Sequence, residues 1–141
     1  MQNERKNELL ESSLDRAAEL LGDITGPVMA KYYASHPQAK IAFIEHGLGN
    51  SVKLEAEMVE SIIYCLMNWY DRPEEIRIMF GSTVPHHEHA LHVSHEWFAG
   101  LIDAAIEVIC ATVPESREDE LQVWNEIRSG LKTLVKEAQS P

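Results

Sequence analysis

The 141 residues suffice for one domain around a single core, and an apolar fraction of 45% belongs to a folded chain rather than a disordered one. A formal charge of −11 argues against nucleic acid or an anionic membrane as partner, because both repel an acidic surface. No apolar run reaches the roughly 20 residues of a membrane span, and the opening MQNERKNELLE lacks a signal-peptide core, so a cytoplasmic protein is expected.

The periodicity is helical almost throughout. Leu9, Leu10, Leu14, Ala17, Ala18 and Leu21 recur at three- and four-residue steps and predict a first helix ending at Gly22. GPVMAKYYAS predicts a second, with Pro27 in its first turn and a stop before Pro37. PQAKIAFIEHG reads as a short turn-like helix closed by Gly47. The stretch from Ser51, a plausible cap, to Tyr70 places Leu54, Met58, Ile62, Cys65, Leu66 and Trp69 on one face. Pro73 and two acids open the next helix, and Pro85 predicts a fresh helical turn after it. A strongly apolar helix follows from Ser94 to about Val113, broken by Pro114. The last helix turns Leu121, Trp124, Ile127, Leu131 and Leu134 inward, with its acids early and its lysines late. No alternating strand pattern, internal repeat or linker interrupts this series. One all-α domain over residues 1–141, of about seven helices with two of them short, is expected. Cys65 and Cys110 both fall within apolar helical patterns and read as small core residues.

PHHEHALHVSHEWF holds five of the seven histidines, His86, His87, His89, His92 and His95. Only one of the first three can face a given side if the segment is helical, since His86 lies about 100° and His89 about 200° from His87.

The order of long helix, medium helix, Pro-led short helix, long helix, His-bearing helix and two long helices resembles the globin fold. HPQAKIAF, with Phe43 six residues after Pro37, is similar to the globin segment whose aromatic stacks on haem. NWYDRPEEI, a histidine followed by an aliphatic, and the Trp97–Phe98 helix start are most similar to the sensor globins of globin-coupled sensors. The resemblance runs from about Leu9 to Leu134. It implies a globin-like helical fold around a haem pocket, with haem (iron protoporphyrin IX) as cofactor. His87, six residues before Val93 and four before Leu91, matches the spacing of the axial ligand, with His86 and His89 as the alternatives. Phe43, Leu91, Val93 and Phe98 would line the haem. Leu54, Met58 and Ile62 would face the opposite side of the iron, and Tyr33, Tyr32 or Tyr64 could donate a hydrogen bond to bound gas.

The function implied is a haem-binding sensor that binds a diatomic gas (oxygen, carbon monoxide or nitric oxide) and signals through a helical dimer interface. Trp97, Leu101, Ile109, Trp124 and Leu131 exceed what one inner stripe needs, so a homodimer through the last two long helices is expected. No output domain follows Pro141, so the expectation is a separate effector protein, or else a stand-alone or excised module. The alternatives are a haemless globin-like regulatory module, a divalent-metal site of His86, His89, His92 and His95, and a globin with oxygen-dependent redox or dioxygenase activity. Catalysis is the less favoured of these, because no polar distal acid–base group is evident. His36 and His46 read as surface residues near helix ends.

Overall fold

A computed structural model describes residues 2–46, 49–90 and 95–138, and at 43, 46, 86–90 and 95 the backbone alone. The described residues form seven helices: α1 (Asn3–Leu21), α2 (Thr25–Ser35), α3 (Pro37–His46), α4 (Ser51–Asn68), α5 (Pro73–Ala90), α6 (His95–Cys110) and α7 (Glu118–Ala138). No strand occurs among the described residues, and none of these helices is long and apolar enough to cross a membrane.

Local chemistry sets most of the boundaries. Gly22 takes φ +68°, a left-handed conformation open to glycine, and its N–H closes α1 on the Ala18 carbonyl. Asp23 then accepts the Thr25 N–H at 2.9 Å and starts α2. His36 precedes Pro37 and leaves the helical region (φ −134°, ψ 70°), as proline disfavours helix at that position, so α2 stops and α3 begins. Ser51 is the first residue inside α4 rather than its cap. Asn50 holds the cap position and makes no side-chain capping bond.

α6 is the central helix and packs against α1, α2, α4, α5 and α7. Its sequence explains this: Leu101, Ile102, Ala105, Ile106 and Ile109 are all buried, leaving it apolar nearly all round. α7 lies along α6, α5 and α1, and buries Trp124, Ile127 and Leu131. α2 crosses α6 on Val28, Met29 and Tyr32, while α3 and α4 close that side.

Three expectations change. Pro85 does not start a new turn, and α5 runs unbroken through it for 18 residues. The ring displaces the bond to the carbonyl four residues earlier, at exposed Gly81, where water can take over, while buried Phe80 and Val84 hold the helix in place. On α1, Ala18 and Leu21 face outward and Ser13 inward, because the helix is rotated toward α7 by a polar contact described below. Finally, Leu101, Ile109, Trp124 and Leu131 are all absorbed into the core of the single chain. None of the exposed large apolar side chains among the described residues belongs to α6 or α7, and Trp97 of α6 packs half-buried against the same core.

Candidate functional site

The unbroken helix α5 fixes the histidine register. Ile76, Phe80 and Val84, spaced four apart, are each almost wholly buried and define its inner face. Position 87 lies three residues beyond Val84 and continues that face. Positions 86 and 89 lie roughly a third and a half of a turn away from it. The side chains of His86, His87 and His89 lie outside the described residues, as do Leu91, His92 and Val93 entirely and the side chains of Phe43 and His95.

Around the inner end of α5 the described walls are apolar. Phe98 of α6 is buried and meets Phe80 edge-on, with ring centroids 5.5 Å apart and planes at 81°. From α4, Ile62 is buried and Leu54 and Met58 pack half-buried on the same core. Val59, between them in sequence, is also buried, a position the one-face reading of α4 left out. Cys65, further along α4 and near Glu75 at the start of α5, is buried in the same core, and burial, with the Glu75 charge adding to it, pushes its thiol up to about 11, so it stays protonated. Burial raises the Cys110 thiol as well.

The three tyrosines separate. The Tyr33 hydroxyl donates to Glu55 Oε2 at 2.6 Å, which ties the end of α2 to the start of α4. Its acidity falls because burial and the neighbouring carboxylate both disfavour a phenolate. Tyr64 is on the outer face of α4, donating to Glu75, and so is removed from the inner wall. Tyr32 is buried, its ring 5.3 Å from that of His36.

Several contacts escaped sequence reasoning. His36 is not simply a surface residue: it lies against α6 at Gly100, where any Cβ would collide with its Nε2. Gly130 of α7 similarly admits the indole of Trp69. Glu120 is completely buried and accepts hydrogen bonds from Ser13 Oγ at 2.5 Å and from Arg16 at 2.9 and 3.1 Å, with Arg117 Nε at 3.1 Å. Asp103 of α6 pairs with Arg128 and Lys132 of α7 at 3.4 and 3.0 Å. The only signals available for these were two glycines inside strong helical patterns and an acid at a helix start.

Among the described residues no three His, Cys, Asp or Glu side chains come together as metal ligands, and the histidine cluster itself lies outside them. What α4, α5 and α6 offer chemically is a water-poor wall with one imidazole position continuing its buried face. Set beside protein-family models, curated proteins and solved structures, the chain matches none of them.

Proposed function

We propose that the chain is a globin of the sensor type, which binds haem through His87, takes up a diatomic gas, and passes its state to a partner protein. The observation that carries this reading is the register of α5: one continuous helix whose buried stripe, Ile76, Phe80 and Val84, extends to position 87. The helix order supports it as well, since a long, a medium, a short and a long helix precede the His-bearing one and two long helices follow.

In this reading His87 supplies a neutral imidazole nitrogen, and Phe43, Leu91, Val93 and Phe98 enclose the ring system. Haem, when bound, would supply an iron able to take up oxygen, carbon monoxide or nitric oxide. Leu54, Met58 and Ile62 of α4 would keep water from it and carry no proton to give or take. Tyr33 could donate to bound gas only by leaving Glu55. Apolar walls and an engaged phenol favour binding over catalysis.

The test is an absorption spectrum of the protein purified after expression with haem supplied. A Soret band that shifts when the reduced protein meets carbon monoxide is expected. Protein that takes up no haem and shows no such band overturns the reading.

A further inference from the structure

On another face the second half of α1, the middle of α4 and the start of α5 lie side by side. Two depressions run together there, with Glu60 lining both. The first, about 370 Å³ between α1 and α4, has an apolar floor of Leu14, Ala17, Val59, Ile63 and Met67. The second, about 460 Å³ between α4 and α5, is walled by Glu57, Tyr64, Glu75 and Met79. Met67 is 50% exposed, and Leu21, next to the lining residue Gly22, is 42% exposed.

The charge is one-sided. Asp15, Asp23, Glu57, Glu60 and Glu75 ring the pair, and among the described residues no lysine, arginine or histidine lines either one. Two flanking cations are already committed, Lys53 to Glu57 at 3.9 Å and Arg72 to Glu75 at 3.5 Å.

These features select an occupant. The apolar floor gains by being covered. Covering it with a neutral or acidic body would strip water from carboxylates without replacing it, which is costly. An anionic membrane is repelled. A second copy in a self-complementary pairing would set five carboxylates against the same five. An apolar stripe flanked by lysine or arginine satisfies both floor and rim. We propose that the α1–α4–α5 face docks a cationic amphipathic helix of a separate protein, its apolar side in the α1–α4 depression and its cations over Glu57, Glu60 and Glu75. This goes beyond the haem reading and does not depend on it.

The test titrates the full chain, with and without haem, against two helical peptides of about five turns (~18 residues) sharing one leucine face. One is flanked by lysines and the other by glutamates. The lysine peptide binds and the glutamate peptide does not. Met67→Asp, and Glu57→Lys with Glu60→Lys, each weaken binding by about tenfold or more. The same charge change at Glu115 and Glu118, beside the α6–α7 turn, alters it by less than about twofold. All the substituted residues are half-exposed or exposed, and circular dichroism checks that each variant stays helical. Equal losses from both charge reversals would mean diffuse attraction and overturn the proposal. So would failure of the lysine peptide to bind, binding of the glutamate peptide, or sedimentation showing a dimer that Met67→Asp dissolves.

Discussion

Gly130 sits where the indole of Trp69 crosses α7, and Gly100 where the imidazole of His36 crosses α6. In an open helix, glycine to alanine is expected to stabilise by about 1 kcal/mol, because glycine gives up more backbone freedom on folding. Here a methyl group would meet a rigid ring, so the sign should invert. Gly130→Ala and Gly100→Ala should each destabilise by about 1–3 kcal/mol. Gly81→Ala in α5, where nothing lies within 4 Å, should stabilise by a few tenths to about 1 kcal/mol. Denaturant midpoints of the three variants measure this, and a stabilised Gly130→Ala would show that the indole does not pack there. No local pattern distinguishes these glycines. Gly81, Gly100 and Gly130 all lie within helical periodicity, and what separates them is a ring at the end of a helix far along the chain.

Between elements, the buried carboxylate of Glu120 clamps α1 to α7. Burial alone would raise its pKa, but hydrogen bonds from Arg16 and Ser13 and the charges of Arg16 and Arg117 outweigh that and hold it below the ordinary value. A carboxylate with a lowered folded-state pKa contributes stability above its unfolded value of about 4.3, and loses it as pH falls through the folded value. Glu120→Gln should therefore destabilise near neutral pH, toward the lower end of the about 3–5 kcal/mol for broken buried pairs, since Arg16 and Arg117 can rehydrate. The gap between wild type and variant should narrow steadily below about pH 4. Chemical unfolding of both proteins across that range measures it, and a gap independent of pH would contradict the assignment. The sequence pattern read Glu120 as one of several acids suited to a helix start. Its inward turn depends on Ser13, 107 residues earlier, and that partnership also rotates Ala18 and Leu21 outward. Helix order and most boundaries were legible because apolar period and the punctuation at Gly22, Pro37, Pro73 and Pro114 act locally. The length of α5 was not legible, because tertiary packing of Phe80 and Val84 overrides the helix-breaking tendency of Pro85.

Across the whole molecule, the chain separates an apolar interior from a strongly acidic exterior, and the two serve different ends in this account. The inner stripe of α4 was readable from periodicity in Ile62, with Leu54 and Met58 half-buried beside it, whereas Tyr64 falls two residues past Ile62 and so points outward. We propose that His87, at the position that continues the inner face of α5, is the haem ligand. It is tested most directly by titrating haem into apoprotein of the wild type and of His86→Ala, His87→Ala, His89→Ala and His92→Ala, following the Soret band. His87→Ala alone is expected to abolish or severely weaken uptake, while the other three variants bind as the wild type does. Undiminished haem uptake with a normal spectrum in His87→Ala would contradict it.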